Sequence, residues 1–233
     1  MQNLVNSIAI PRDELNRNIG GGIPQGSIML IEGKDGAGKS IIAQRIAYGL
    51  TQNNTSCSYI STELNLIEFI QQMNSLNYRI TEKIIAEDLL FISLFPQMGN
   101  VKLKETFMND LLSNKKLFST EVIIFDTISY LLVSTQTSEK DIFNLVSFIK
   151  KIAGLNKTIL CCIDPDMCNI KFLNMIRNIP DIYLQTEAKM VLGNLLRVIS
   201  VIRYKKSIKE VASATPYKVI PGAGFAIELA SLA

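Results

Sequence analysis

The sequence predicts an α/β fold built on a twisted, mostly parallel sheet flanked by helices. Short continuous apolar runs, such as VIIFD at Val122–Asp126 and TILCCI at Thr158–Ile163, suit strands that are covered on both faces. Segments with helical periodicity, such as residues 141–152, lie between these runs. Strands that alternate with helices indicate a doubly wound sheet.

The predicted elements follow in chain order. A strand at residues 27–32 precedes a helix at 40–50, and a strand at 56–61 precedes a helix at 64–76. After Asp181 the character changes to short alternating runs with glycine punctuation, which predict antiparallel strands or hairpins at one edge of the sheet. The remaining predicted elements are strands at 89–95, 122–126 and 158–163 and a helix at 141–152.

The composition suits one folded domain. The chain has 233 residues, of which 48% are hydrophobic, so it can bury a substantial core. It contains no internal repeat, low-complexity tract or convincing linker. We therefore expect a single domain over residues 1–233.

A glycine-rich segment follows the first predicted strand. Gly33, Gly38, Lys39 and Ser40 satisfy the pattern G-x-x-x-x-G-K-[ST], between a strand and a helix as the pattern requires. Glycines let backbone N–H groups turn towards phosphates, Lys39 supplies a positive charge, and Ser40 supplies a hydroxyl ligand for Mg²⁺. The sequence therefore predicts a site for a nucleoside triphosphate with Mg²⁺. The predicted contact residues are Gly33, Asp35, Gly36, Ala37, Gly38, Lys39, Ser40 and Ile41.

An acidic residue, Asp126, ends the buried run Val122–Asp126. An aspartate after a strand often only begins a turn. With a phosphate loop upstream, however, a carboxylate at this place can meet Mg²⁺ through water beside the phosphates. Asp126 and Ser40 are therefore the predicted metal-side residues.

The composition also limits the chemistry and the partners. The chain has no histidine, and none of its four cysteines forms a C-x-x-C pair, which excludes Ser-His and Cys-His nucleophiles and disfavours a zinc site. The formal charge of +3 is too small to argue for a nucleic-acid partner. Neither a signal peptide nor a transmembrane segment is recognisable in the sequence. We expect a cytoplasmic protein, with peripheral docking onto a membrane assembly left open.

Several segments together resemble the RecA-superfamily ATPases of the KaiC type, and among them the archaellar accessory ATPases. These segments are GGGIPQGS before the first strand, then GKDGAGKS, SYISTE, VIIFDTIS and the late IRYKKS. The similarity runs from about Leu15 to the C-terminal strands. It implies a RecA-like P-loop fold with an antiparallel C-terminal edge, and ATP with Mg²⁺ as ligands.

The resemblance further implies a regulatory, ATP-binding subunit of the archaellum motor with weak or no hydrolysis. It implies a homo-oligomeric ring that ATP promotes, with six subunits as the expected number. The implied partners are the motor's hexameric ATPase and the platform and scaffold proteins at the membrane.

Two positions depart from the KaiC pattern after the second strand. That pattern has a pair of glutamates, one of which polarises the attacking water, and this chain offers Thr62 and Glu63. Threonine does not act as a base at neutral pH, so Thr62 is a substituted catalytic position. Glu63 either serves alone or only favours the start of the next helix. The loss of one carboxylate favours holding ATP over hydrolysing it.

The late strand offers two cations, Arg203 and Lys205, where the KaiC pattern has a Lys-x-Arg pair. In that pattern the pair reaches the γ-phosphate held by the neighbouring subunit. Strand alternation places Arg203 and Lys205 on one face. The alternative is a solvated basic strand end, which could also dock a nucleic acid or an acidic partner.

Two other functions remain open at the level of sequence. A RecA- or RadA-like DNA-stimulated ATPase would carry glycine-rich basic loops, and the corresponding stretches TISYLLVSTQTSEK and CCIDPDMCNIKF are poor in both residue types. A KaiC-like autophosphorylating ATPase would need a serine or threonine near the neighbour's γ-phosphate, and the sequence does not place one.

Overall fold

The computed structural model describes residues 5–94, 113–134, 139–191 and 193–228. In chain order the strands are β1 (Val5–Asn6), β2 (Ile23–Pro24), β3 (Ile28–Glu32), β4 (Cys57–Ser61), β5 (Leu89–Ser93), β6 (Val122–Asp126), β7 (Thr158–Ile163), β8 (Ile182–Val191), β9 (Asn194–Tyr204), β10 (Ala214–Ile220) and β11 (Gly224–Ile227). The helices are α1 (Leu15–Asn18), α2 (Lys39–Gln52), α3 (Leu66–Ser75), α4 (Thr81–Ile85), α5 (Ile128–Ser134), α6 (Glu139–Gly154) and α7 (Ile170–Asn178), and a 3₁₀ turn spans Pro165–Met167.

Nine of these strands form one sheet in the order β11-β10-β9-β8-β3-β7-β6-β4-β5. The strands from β8 to β5 in this order are parallel, whereas β8, β9, β10 and β11 pair antiparallel with one another. The predicted α/β fold with a parallel centre and an antiparallel C-terminal edge is therefore confirmed. β1 and β2 form a separate two-stranded pair.

Both faces of the parallel sheet are covered, as the continuous apolar strands predict. Every residue of β3 is buried, and its side chains alternate between two cores. Met29 and Ile31 pack with Ile42 and other residues of α2, while Leu30 packs on the opposite face with Ile149 and other residues of α6. This double cover holds β3, and the loop that follows it, at the centre of the molecule.

The predicted bounds agree with the structure to within one or two residues for the elements that the sequence identifies. Residue 95 of the predicted strand 89–95 lies outside the described residues. Four short helices, α1, α4, α5 and α7, are not predicted. α7 begins after Asn169, whose side chain accepts a hydrogen bond from the Phe172 N–H, so it carries an ordinary N-cap.

A buried ion pair fixes the N-terminal segment to α2. The Arg45 guanidinium donates to both carboxylate oxygens of Asp13 at 2.7 Å, and the side chains of both residues are fully buried. Arg45 also donates to the carbonyl of Ile8 at 2.9 Å. Such two-pronged contacts are specific in geometry, so they set the position of α2 against the segment that precedes it.

Candidate functional site

A polar cavity of about 230 Å³ opens at the carboxyl ends of the central strands. Ligands of open α/β sheets bind at this edge, where successive strands lead to opposite faces. Of the predicted loop residues, those that line the cavity are Asp35, Gly36, Gly38, Lys39, Ser40 and Ile41. The predicted catalytic residue Glu63 and the predicted metal-side residue Asp126 line it as well.

Gly33 and Ala37 support the loop from behind. The Gly33 N–H donates to the carbonyl of Ile163 at 3.1 Å, and a Cβ at Gly33 would lie 2.6 Å from the carbonyl oxygen of Thr186. The Ala37 carbonyl accepts a hydrogen bond from the Thr186 hydroxyl at 2.9 Å. The loop is therefore held by the neighbouring strands β7 and β8, and position 33 has room only for glycine.

Gly38 begins α2 in a conformation that favours glycine. Its φ of +99° lies in the left-handed region, and the Tyr217 hydroxyl and the Arg197 side chain occupy the space that a Cβ would need. This backbone turn directs the start of α2 towards the cavity. The N–H groups at a helix start bind anions well, because they have no partner within the helix.

Lys39 is almost fully buried at the base of the cavity. Its ammonium donates to the carbonyl of Lys34 at 2.8 Å and lies 3.7 Å from a carboxylate oxygen of Asp164. The exposed fraction of its side chain is only 8%. The charge therefore sits in a position where a phosphate would meet it with little intervening water.

Ser40 and Asp126 are brought together from two different elements. The Ser40 hydroxyl donates to Oδ1 of Asp126 at 3.0 Å, and the Tyr59 hydroxyl donates to Oδ2 at 2.6 Å. Burial raises the pKa of Asp126, although the hydrogen bonds from Tyr59, Ser40 and Thr127 oppose that rise. A bound cation at this point would offset the cost of burying the carboxylate charge.

The two oxygen groups fit Mg²⁺. A hydroxyl and a carboxylate are hard oxygen ligands of the kind that Mg²⁺ uses beside phosphates, and they lie within one hydrogen bond of each other. Bound there with a nucleotide, Mg²⁺ would neutralise part of the phosphate charge.

Glu63 and Thr62 point to different surroundings. Glu63 lies on the cavity wall, where loss of solvent and the nearby charge of Asp126 raise the pKa of its carboxyl. The Thr62 side chain is buried, and its hydroxyl accepts a hydrogen bond from the Thr127 N–H at 3.0 Å and donates towards the Thr127 carbonyl at 3.3 Å. The Thr62 side chain therefore hydrogen-bonds to the backbone after β6 and does not line the cavity.

Arg203 and Lys205 lie away from the cavity of their own chain. β9 runs antiparallel to β8, and Tyr204 pairs with Ile182 at the start of β8, which is the opposite end of the sheet from the phosphate loop. Arg203 donates to the carbonyls of Arg177 and Pro180 at 3.0 and 3.2 Å, while the exposed Lys205 lies 4.0 Å from Asp181. The structure thus does not bring these two cations to the predicted loop residues within one chain.

Three further residues line the cavity but are not predicted as site residues from the sequence: Leu64, Gln72 and Arg197. Arg197 lies in β9, and its Nε donates to the carbonyl of Gly36 at 3.4 Å. The only sequence signal is a lone arginine within the apolar run LLRVISVI. Asp164 and Tyr59 are also missed, because their roles depend on which strands are neighbours in the sheet.

Comparison with known proteins agrees with this geometry. The family model described as "ATPase: KaiC" matches residues 10–225. The archaeal flagellar ATP-binding protein FlaH of Methanocaldococcus jannaschii is 37% identical over 97% of this chain and 97% of its own length. The FlaH of Methanococcus voltae is 35% identical over 97% of this chain and 98% of its own length.

A solved structure gives the same result. The crystal structure of the flagellar accessory protein FlaH from Methanocaldococcus jannaschii matches with a TM-score of 0.91 and 35% identity, over 97% of this chain and 100% of that one. The resemblance seen in the sequence motifs is thereby confirmed. The chain belongs to the KaiC family of ATPases and, within it, to the FlaH group of archaeal flagellar ATP-binding proteins.

Proposed function

We propose that this protein is an ATP-binding accessory subunit of the archaeal flagellum, which holds Mg²⁺–ATP as a signal and hydrolyses it slowly. The observation that carries the proposal is the meeting of Lys39, Ser40 and Asp126 at one edge of the sheet. Lys39 binds the β- and γ-phosphates, Ser40 and Asp126 hold the metal ion, and the loop N–H groups complete the phosphate contacts. The names of the relatives support the flagellar role.

The absence of a second glutamate at position 62 supports slow turnover. Glu63 is the remaining candidate for orienting water at the γ-phosphate, and its raised pKa makes it a stronger base than an ordinary glutamate. Thr62 adds no second base, because its hydroxyl is already engaged with the backbone of Thr127. We therefore expect bound ATP to be hydrolysed slowly, as a nucleotide signal requires.

In this proposal, bound ATP acts by changing the oligomeric state of the protein. It promotes a homo-oligomeric ring of six subunits, and Lys205, with Arg203, approaches the γ-phosphate of the neighbouring subunit. The ring engages the flagellar motor ATPase and the platform and scaffold proteins at the membrane from the cytoplasmic side. Among the described residues no helix is long and apolar enough to cross a membrane.

The proposal is tested by calorimetric titration of Mg²⁺–ATP into wild-type protein and into Lys39→Ala. We expect Lys39→Ala to lose tight binding, because the phosphates lose the buried cation at the base of the cavity. The matched control is Lys150→Ala, which removes an exposed lysine of α6. Wild-type affinity in Lys39→Ala would contradict the assignment of the site, and rapid turnover by wild-type protein would contradict the holding role.

A further inference from the structure

The turn after β7 places two carboxylates against two lysines of the phosphate loop. Asp164 lies 3.7 Å from the Lys39 ammonium, and Asp166 lies 3.0 Å from the Lys34 ammonium. The two pairs differ sharply in burial. The Lys39 and Asp164 side chains are 8% and 10% exposed, whereas those of Lys34 and Asp166 are 73% and 63% exposed. Water screens the second pair, so the buried first pair interacts more strongly.

Asp164 is held in place by its backbone and by one of its two carboxylate oxygens. Its N–H donates to the Ser129 hydroxyl at 3.0 Å, and its Oδ1 accepts the Asp166 N–H at 3.0 Å, which caps the 3₁₀ turn. The other oxygen, Oδ2, is the one that faces Lys39. The fold therefore presents one fixed negative oxygen to the lysine that the proposed function assigns to the phosphates.

We infer that Asp164 competes with the nucleotide phosphates for Lys39 and thereby sets the affinity of the ATP site. The inference rests on the proposed function, because it takes Lys39 as the phosphate-binding cation. A phosphate that contacts Lys39 must approach a carboxylate only a few ångströms away, and like charges in a poorly solvated site repel strongly. Lys39 must therefore give up its contact with Asp164 when it binds the phosphates. The free energy of that lost contact lowers the affinity for the nucleotide.

Competition for Lys39 and a purely structural role of Asp164 predict opposite changes in nucleotide affinity when Asp164 is replaced. If Asp164 only shapes the loop, its replacement weakens nucleotide binding. If it competes for Lys39, removal of its charge strengthens binding. Asp164→Asn is the suitable change, because the amide keeps the size of the side chain and the oxygen that caps the Asp166 N–H.

The experiment is calorimetric titration of Mg²⁺–ATP and Mg²⁺–ADP into wild-type protein, Asp164→Asn and the control Asp166→Asn, at one ionic strength. We expect Asp164→Asn to bind Mg²⁺–ATP about tenfold more tightly, since one unit charge is removed beside the phosphates. Asp166→Asn should change the affinity by less than about twofold, because its pair is exposed. Asp164→Ser serves as a second neutral variant should the asparagine variant fail to fold.

The possible outcomes distinguish failure of the Asp164 competition from failure of the proposed ATP-binding function. Wild-type protein that binds Mg²⁺–ATP, together with an Asp164→Asn affinity that is unchanged or weaker, overturns the competition and leaves the proposed function standing. Wild-type protein that binds no nucleotide overturns both. A double-mutant cycle of Asp164→Asn with Lys39→Met, measured by unfolding without added nucleotide, should show coupling between the two sites, and strict additivity would overturn the pairing itself.

Discussion

The hydroxyl of Ser40 and the carboxylate of Asp126 share a hydrogen bond of 3.0 Å, although the two residues lie at the start of α2 and at the end of β6. The contact exists because β3 and β6 are separated in the sheet only by β7, so that their carboxyl ends open onto the same cavity. Two oxygen groups at this distance can bind one small cation together.

The first prediction concerns this pair. Asp126→Asn should weaken binding of ATP in the presence of Mg²⁺ and leave the weaker, metal-free binding nearly unchanged, because the amide removes the charge that attracts the cation. Calorimetric titration with Mg²⁺ and with a chelator measures both values. Equal losses of affinity with and without Mg²⁺ would mean that Asp126 acts through the fold. Tyr59→Phe, which removes only the hydroxyl that contacts Asp126, is the control for such an indirect effect.

The second prediction concerns Thr62, which the resemblance to the KaiC pattern implies to be a substituted catalytic position. Thr62→Val should destabilise the protein by about 1–3 kcal/mol, because the buried Thr127 N–H loses its acceptor. Thr62→Ser keeps the hydroxyl and is the control, with an expected loss well below that of valine. Urea unfolding measures both, and equal stability of valine and serine variants would contradict the role of the hydroxyl.

Thr62 also shows where reasoning from sequence ends. Alignment with the KaiC pattern implies that Thr62 and Glu63 lie together at the γ-phosphate, but both residues lie in a bend after β4, where their side chains face different surroundings. Glu63 lines the cavity, and Thr62 faces the backbone after β6. The strands themselves are predictable, because continuous apolar runs identify the buried parallel strands and glycine punctuation identifies the edge.

Two kinds of information are missing from the sequence. The helices α5 and α7 are too short for a reliable periodicity, so their sequences do not distinguish helix from loop. Arg197 and Asp164 reach the site through strand order and hairpin register, which depend on tertiary packing. The phosphate loop is predictable because its chemistry depends on local spacing alone, whereas these two residues approach it from distant parts of the chain.

The third prediction concerns acid stability and the network at the end of β3. Glu32 accepts hydrogen bonds from Arg177 at 2.7 and 2.5 Å and from the Tyr183 hydroxyl at 2.7 Å. Burial alone would raise the pKa of Glu32, but the hydrogen bonds from Arg177 and Tyr183 and the charge of Arg177 hold it below its ordinary value. The carboxylate therefore stabilises the fold above its unfolded pKa, and that contribution is lost as the pH falls through the lower folded pKa.

Glu32→Gln should accordingly destabilise the protein by about 1.5–3 kcal/mol at neutral pH, the usual contribution of hydrogen bonds to a charged group. The difference from wild-type protein should shrink below about pH 4, because the carboxyl then takes up a proton in the unfolded chain and, at still lower pH, in the folded protein. Chemical unfolding between neutral pH and pH 3 measures the difference, with the exposed Glu210→Gln before β10 as a reference. A difference that is independent of pH would contradict the charge-based account.

The fourth prediction concerns Arg197, which contacts the phosphate loop from β9. Arg197→Ala should weaken Mg²⁺–ATP binding by about tenfold, since a guanidinium beside the cavity would form charge-assisted contacts with the phosphate oxygens of a bound nucleotide. Arg197→Lys should restore part of the affinity, because it keeps the charge but loses the fork of donors. Nucleotide titration measures these differences, and full affinity in Arg197→Ala would limit the role of this residue to packing against Gly38.

The last prediction concerns what ATP does to assembly. If Lys205 reaches the γ-phosphate held by a neighbouring subunit, then ATP binds the assembled state better than the monomer and shifts the equilibrium towards the ring. ADP lacks the γ-phosphate, so it should fill the cavity and yet promote assembly poorly. The structure makes Lys205 the better residue to test, because Arg203 also donates to the carbonyls of Arg177 and Pro180 and its loss would disturb the fold.

Analytical ultracentrifugation with ATP, with ADP and without nucleotide gives the required comparison for wild-type protein, Lys205→Ala and the neighbouring exposed Lys206→Ala. A charge-assisted phosphate contact contributes about 1.5–3 kcal/mol, so Lys205→Ala should lower the ATP-dependent assembly constant by about tenfold or more. Lys206→Ala is the matched control, because it removes the same charge from the adjacent position, and it should assemble as wild-type protein does. Identical mass distributions with ATP and ADP would contradict the nucleotide switch, whereas normal ATP-dependent assembly of Lys205→Ala would contradict only the assignment of the cation that reads the γ-phosphate.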